Sequence, residues 1–441
     1  MEVTIERILP GGWGLAHADG QTPMVALAAP GDRLRVRIDR VKGTVAFASI
    51  EEVIEPSAQR IEPPCPYFGR CGGCNFQQMN YAAQLAAKKE IVRDCLHRIA
   101  KIDIADFQIV AAPSEWHYRA RAQWQYDAEA KRLGYFESAS RRVCDVAECA
   151  VLVPELQLVL EDMRAEMARG SLAADARYFR AIAGDDRTIV AAGFERSHRT
   201  VRQRPAVENS TATDHEAIEE LTRTIAGETY RLGAESFFQT NIDLVPALID
   251  EAIGREHGET AIELYCGVGL FTLPLARRFT HVVGVEDDRL ATEFARKNLA
   301  HAQLENAEIV AANVGEWLGH QRRAQDARPV HSRLEQRREG NGLDRKGLAP
   351  EESSAATGMG ALQSVDFLLL DPPRTGAESR VISGILQLKP KRICYVSCDP
   401  ATLARDLRKI MTGGYGIDSV VAFDMFPQTH HVETVVHLSS A

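Results

Sequence analysis

Apolar runs and their spacing divide the chain into unlike parts. In the second half, AIELYC, HVVGVE, VDFLLLDP and RICYVSC are short apolar segments separated by helical stretches. That strand–helix alternation, from residue 209 to the end, predicts an α/β fold with a doubly wound, largely parallel sheet. Residues 318–363 interrupt it: the segment lacks periodicity and aromatic residues and is rich in Arg, Glu, Ser and Gly, so a solvated loop is expected. The first half reads differently. In RLRVRI, Leu34, Val36 and Ile38 alternate with Arg33, Arg35 and Arg37, the period of a half-buried strand with one cationic face. With turn signals at Gly11-Gly12 and Pro30-Gly31-Asp32, it predicts a small β-domain over residues 1–56. Pro56-Ser57 and Pro63-Pro64 mark a linker. A helix is predicted from Tyr81 to Ile99, with Leu85, Val92, Cys95, Leu96 and Ile99 on one face. Beyond it, WHYRARAQWQY and KRLGYFESASRRV interleave arginine and lysine with aromatics, a composition that suits either exposed strands or RNA contact.

Composition narrows the class. The 441 residues are 45% hydrophobic and 26% charged, enough for two or three domains with sizeable cores. No apolar run reaches the length of a membrane span, and the N-terminus does not read as a secretory leader, so a cytoplasmic location without membrane contact is expected. The formal charge of -9 argues against a nonspecific nucleic-acid coat but leaves room for local basic surfaces. Nine cysteines in such a chain point to thiols or metal ligands rather than disulfides.

Candidate chemistry concentrates at strand ends. In YVSCDPATLARD, Cys398 falls between an apolar strand and a helix that Asp399 caps and Pro400 opens. The positive end of that helix is expected to favour the thiolate. ELYCGVGLF places Gly267 and Gly269 where backbone turns toward a ligand, but Thr272 occupies the third position of a dinucleotide fingerprint, which disfavours NAD. Glu286 ends the next strand about 20 residues on, where a carboxylate accepts ribose hydroxyls. Asp371 in LLLDPPRTG closes a further strand. Cys65, Cys71 and Cys74 share one glycine-rich loop, and a fourth ligand from Cys144 or Cys149 would complete a zinc or an iron–sulfur site; spacing leaves these open.

Taken together, DPPRTG, YVSCDPAT and MFPQTHHVE resemble the RNA uracil-5 methyltransferases that use S-adenosylmethionine, and the resemblance runs along nearly the whole chain. It implies a TRAM-like β-barrel at 1–56 and an iron–sulfur and RNA-binding domain at 57–208. A class I methyltransferase domain at 209–441 would follow, on which helix 81–99 is free to pack. It further implies Cys398 as nucleophile and Glu433 as base, with Gln239, Tyr265, Glu286, Asn313 and Asp371 holding the methyl donor. A 4Fe–4S cluster would be held by Cys65, Cys71, Cys74 and Cys149. The family usually carries Asn after the nucleophile; here Asp399 adds a carboxylate that opposes the thiolate, and the 318–363 insert is a second departure.

The chemistry accounts for the residue types. C5 of uracil is a poor nucleophile until a thiolate adds at C6, and the C5 proton must then leave to a base. The expected substrate is 23S ribosomal RNA, with transfer RNA second, and no obligate protein partner is expected. A noncatalytic RNA-binding iron–sulfur protein and a DNA cytosine methyltransferase are the rivals.

Overall fold

A computed structural model describes residues 1–18, 20–194, 219–326 and 364–440. Most of the predicted 318–363 loop therefore lies outside the described residues; its first part, through Asp326, is helical.

The N-terminal segment forms six strands: β1 (Glu2–Thr4), β2 (Arg7–Leu9), β3 (Trp13–Leu15), β4 (Thr22–Ala26), β5 (Arg33–Lys42) and β6 (Val45–Glu55). Their order is β1-β5-β6-β4-β3-β2. Only Ile5 and Glu6 separate the two outermost strands, so the sheet must curl until its ends approach. Leu34 and Val36 are buried with Val3, Ile5 and Val25, as the alternation predicts. The arginines of that strand stay outside but are not free: Arg33 pairs with Glu55 at 2.5 Å, Arg35 with Glu52 and Glu2, and Arg37 with Asp39 at 3.1 Å.

The predicted helix appears as α1 (Tyr81–Cys95), extended by a π turn over Leu96–Ala100. Its buried face includes Val92, Cys95 and Leu96 as predicted but is wider than its apolar residues outline. Gln84 and Lys88 are fully buried, whereas Leu85 is only half-buried. The polar pair faces inward because Lys88 meets Asp424, itself fully buried, and Gln84 meets Gln428. After α1, β7 (Gln108–Val110) joins the edge of the large sheet described below.

A central five-stranded antiparallel sheet follows, from β8 (Arg121–Asp127), β9 (Arg132–Phe136), β10 (Val143–Asp145), β11 (Ala176–Ala183) and β12 (Thr188–Phe194), in order β10-β9-β8-β11-β12. Helix α2 (Pro154–Arg169) covers one face, packing Leu156 and Leu160 on Trp124 and Phe179. A hairpin of β13 (Glu220–Ile225) and β14 (Glu228–Gly233) leads on to α3 (Val245–Ile253).

The large sheet then builds up as β15 (Gly258–Leu264), α4 (Thr272–Ala276), β16 (Phe279–Glu286), α5 (Arg289–His301), β17 (Ala307–Ala311), α6 (Val314–Asp326), β18 (Phe367–Leu370), α7 (Ser379–Leu388), β19 (Arg392–Ser397), α8 (Pro400–Thr412), β20 (Tyr415–Phe423) and β21 (Glu433–Ser440). Its order is β17-β16-β15-β18-β19-β21-β20-β7. The strands from β17 to β19 are parallel, and β21 inserts antiparallel between β19 and β20. This is an α/β class I methyltransferase sheet whose direction of growth reverses between β15 and β18, the place where open sheets bind ligands. The four apolar runs of the sequence are β15, β16, β18 and β19. In β18, Phe367 and Leu369 enter the core beneath α3 to α5, while Leu368 and Leu370 enter the core beneath α6 to α8 and α1. Among the described residues, no helix is long and apolar enough to cross a membrane.

The Lys88–Asp424 pair ties α1 to the end of β20 without solvent contact at either side chain. Burial lowers the Lys88 pKa, while Asp424 raises it. Lys88→Ala strands the carboxylate and is expected to lower stability by about 3–5 kcal/mol in denaturant titrations, with Lys88→Met/Asp424→Leu recovering most of it. A loss below about 1 kcal/mol would show that the pair is not integral to the core.

Candidate active site

Six of the sequence-predicted positions gather at one end of the large sheet. Tyr265 follows β15, Glu286 ends β16, Asn313 lies just past β17, Asp371 follows β18 and Cys398 follows β19. All lie at the carboxyl ends of parallel strands. Glu433 arrives from the opposite direction, as the first residue of antiparallel β21. Ser397 pairs with Thr434, so one further step of the register sets Cys398 opposite Glu433. Leu264 pairs with both Val285 and Leu370, which sets Tyr265 between the strand ends carrying Glu286 and Asp371.

Local structure fixes each group. Tyr265 adopts φ +65°, the left-handed region a tyrosine rarely occupies, and its N–H donates to Val285 at 2.8 Å. Glu286 accepts from the backbone N–H groups of Gly267 (2.9 Å), Asp287 (3.0 Å) and Asp288 (2.9 Å). Burial raises its pKa, and the Asp288 and Gly267 amides oppose that. Asn313 caps α6, its Oδ1 accepting from Gly315 at 3.0 Å and from Arg380 at 3.2 Å, which leaves its side-chain N–H groups for other partners. Gln239, almost wholly buried, comes from outside the sheet; its loop is held to the central domain by the Ala120 N–H donating to Thr240 at 2.8 Å.

The loop after β18 is locked from below. Buried Asp406 accepts from the Ala377 N–H and the Tyr395 hydroxyl, both at 2.9 Å. Gly376 turns there at φ +73°, and a Cβ would come within 2.7 Å of the Asp406 carboxylate, so only glycine fits.

The electrostatics reverse one expectation. Burial pushes the Cys398 thiol up to about 12, helped by Glu433 and Asp371 and opposed by Arg374. The helix terminus does not rescue the thiolate because its amides are already used: Asp399 Oδ1 accepts from Ala401 (3.0 Å) and Thr402 (2.9 Å). Asp399 thus caps the helix as expected, and its charge also raises the thiol. Asp371 keeps some solvent contact, yet enclosure by protein raises it to about 7. Glu433, only 2% exposed, is held well above the carboxylate range by burial and then by Asp371, and its Oε1 has no hydrogen-bond partner. Beneath the site, burial pushes Glu263 up to about 8 while it accepts a hydrogen bond from Thr272.

Arg374 is a residue that the sequence reading passed over. Its charge acts on Cys398 and Glu433, and it also lines the cavity around the cysteines. Its place inside DPPRTG was the available signal, but only the fold shows which acids it faces.

Cys65, Cys71, Cys74 and Cys149 line one cavity of about 220 Å³. Cys144 instead sits in the central core, its sulfur accepting from Arg70 at 3.2 Å. Burial pushes Cys71 up to about 12 and Cys74 to about 11, and raises Cys149. Among the described residues, no group of three or more histidine, cysteine or acidic side chains is gathered closely enough to hold a metal ion. The thiols therefore surround a space rather than converge on a point. Arg374, Phe426 and His431 also line it, so this cavity adjoins the end of the sheet that carries Asp371 and Glu433 despite its distance in sequence. Cys95, Cys266 and Cys394 are buried in the core.

The chain resembles known proteins along its length. The family model described as tRNA (Uracil-5-)-methyltransferase matches residues 205–333 and 361–441. An uncharacterized RNA methyltransferase of Halalkalibacterium halodurans is 32% identical over 99% of this chain and 96% of its own. The 23S rRNA (uracil(1939)-C(5))-methyltransferase RlmD of Alkalilimnicola ehrlichii is 32% identical over 98% of this chain and 95% of its own. The structure of Pyrococcus abyssi tRNA (uracil-54, C5)-methyltransferase, in complex with S-adenosyl-L-homocysteine, shares the fold with a TM-score of 0.68 at 24% identity, over 99% of this chain and 100% of that one. With the sheet order and near-full-length relatives agreeing, the chain belongs to the RNA uracil-C5 methyltransferase family.

Proposed function

We propose that this enzyme methylates C5 of a specific uridine in 23S ribosomal RNA, with Cys398 as nucleophile and Glu433 as base. The observation that carries the reading is the antiparallel register that sets a thiol opposite a buried carboxyl group, one oxygen of which has no hydrogen-bond partner, at the sheet's ligand-binding edge. Addition of the Cys398 sulfur at C6 makes C5 electron-rich. C5 then takes the methyl group from a sulfonium donor, whose methyl–sulfur bond breaks to leave a neutral thioether; Glu433 removes the C5 proton, and the C6–S bond breaks to return the sulfur. Both steps need the base out of its stack, so a loop uridine is the cheaper target. Ribosomal RNA is favoured because a relative similar over nearly its whole length is named for it, while the transfer-RNA reading draws on the family description and a more distant structure.

S-adenosylmethionine is the proposed methyl donor, supplying an electrophilic carbon on a cationic sulfur. Gln239, Tyr265, Glu286, Asn313 and Asp371 are its proposed partners. Glu286, oriented by three amides, is set to accept ribose hydroxyls, and Asp371 to face positive charge.

Residues 1–56 are proposed as a TRAM-like barrel, 57–208 as the iron–sulfur and RNA-binding domain and 209–441 as the catalytic domain. Cys65, Cys71, Cys74 and Cys149 are proposed to hold a 4Fe–4S cluster. Thiols spread around a cavity suit a body with several metal atoms better than one ion bonded at about 2.3 Å to each sulfur. The cluster would crosslink the loop of the first three thiols to the segment of the fourth. A cytoplasmic setting fits these thiols.

Three outcomes are expected. RNA containing 5-fluorouridine should form a detergent-stable complex with the enzyme, because fluorine does not leave as a proton. Cys398→Ala should abolish both complex and methyl transfer, whereas Glu433→Gln should form the complex but turn over about 10²–10⁴-fold more slowly. Complex formation by Cys398→Ala, or none with either candidate RNA, would refute this reading and favour a noncatalytic RNA-binding protein. Because the thiol is raised, its reactive fraction grows about tenfold per pH unit below its pKa, so complex formation should accelerate from pH 6.5 to 9; a flat or falling profile would contradict the assignment. Anaerobically prepared protein should carry about four irons per chain and lose them in Cys149→Ala but not Cys144→Ala; equal retention in both would remove Cys149 from the ligand set.

A further inference from the structure

Between β20 and β21, residues 424–432 (DMFPQTHHV) deliver Glu433 to the site, and most of this loop is buried. A buried loop needs hydrogen-bond partners, and beyond those within the loop and the Val110 carbonyl of β7, which takes the Asp424 N–H, they come from α1, the segment after Cys74 and Tyr118. Asn75, next to Cys74, holds the loop at two points: its N–H donates to the Gln428 carbonyl at 3.0 Å, and its Oδ1 accepts from the His430 N–H at 3.0 Å. Gln84 grips Gln428 twice, accepting from its backbone N–H at 3.0 Å and donating to its side-chain oxygen at 2.9 Å. Gln428 sits at φ +67°, a conformation a glutamine does not hold without such restraint. Lys88 and Tyr118 take the next two carbonyls, those of Phe426 at 2.9 Å and Pro427 at 2.8 Å.

We infer that Asn75 and Gln84 are positioning residues for Glu433: by clamping Gln428 and His430 they set where the carboxyl group stands relative to Cys398. The inference rests on the proposal that Glu433 is the base. Cys398 is carried by β19 and α8, to which neither Asn75 nor Gln84 is hydrogen-bonded, so loosening the clamp must slow proton removal more than sulfur addition. The cysteine-bearing loop thereby reaches the site through hydrogen bonds.

The two steps are separable. In Asn75→Ala, turnover on uridine RNA is expected to fall about tenfold, with a detergent-stable enzyme–RNA complex accumulating on ordinary uridine, while complex formation on 5-fluorouridine RNA keeps its rate within about twofold. Asn75→Asp, which retains the acceptor for His430, should recover most of the turnover. Gln84→Ala tests the same point from α1 and takes over should Asn75→Ala fail to fold. Equal slowing of both steps would reduce the clamp to general structural support, and no change in either would remove it; both outcomes overturn the inference. Glu433→Gln is the control. Failure of that variant to accumulate complex on uridine RNA would overturn the base assignment itself, which separates that failure from failure of the clamp.

Discussion

The pairing of antiparallel β21 with parallel β19 is the constraint on which the rest of the site depends. A purely parallel sheet presents only strand ends at its ligand edge, one residue per strand. Reversing a single strand brings a strand beginning to that edge, so that Glu433 and Cys398 become cross-strand neighbours. The same pairing creates an electrostatic problem. Glu433, Asp371 and the Cys398 thiol share a poorly solvated space: Glu433 and Asp371 both raise the thiol, and Asp371 also raises Glu433. Burial and like charge both favour the protonated forms. Arg374 is the cation that opposes this. Positive charge placed next to Asp371 would shift this balance toward the ionised forms.

Holding Glu433 in that space takes more than the sheet. The loop before it is buried, and its polar groups are satisfied by α1, by the segment after Cys74 and by Tyr118. The large sheet, in turn, is completed at its edge by β7, and its second core includes Val92, Cys95 and Leu96 of α1. Residues far apart in sequence are thus parts of one packed body. The N-terminal sheet joins it through Ile8, which packs with Phe76 and Ile91, and through Arg7, 2.6 Å from Asp94.

What was legible in the sequence follows from how strongly burial marks a residue. The runs that became β15, β16, β18 and β19 lie centrally, and covering both faces leaves them nearly free of polar residues. Strand β17, at the sheet edge, is half exposed, and β20 carries Asp418 and Ser419 beside a register shift, so neither stands out. The helical period of α1 was visible, and Val92, Cys95 and Leu96 are buried as it predicts, but Gln84 and Lys88 look like surface residues until Gln428 and Asp424 are placed against them. The cap at Asp399 was readable from residue type. Its consequence was not, because it depends on the cap using the amides expected to help the thiol. Spacing put three cysteines in one loop, while the cavity shared with Cys149 rather than Cys144 is a product of the fold.

The arginines of β5 raise a question that charge counting cannot answer. Arg33, Arg35 and Arg37 form a stripe suited to phosphate, yet each already has a carboxylate partner. These pairs are exposed, and exposed pairs contribute little stability, about 0–1 kcal/mol each. Exchanging a carboxylate for a phosphate therefore loses little, but each exchange also releases an acidic group that repels the polyanion. Net attraction from the stripe is smaller than three free arginines would give, and so is the number of counterions displaced from RNA. In a chain of charge -9, a stripe already paired in this way is a weak site for arbitrary polyanions.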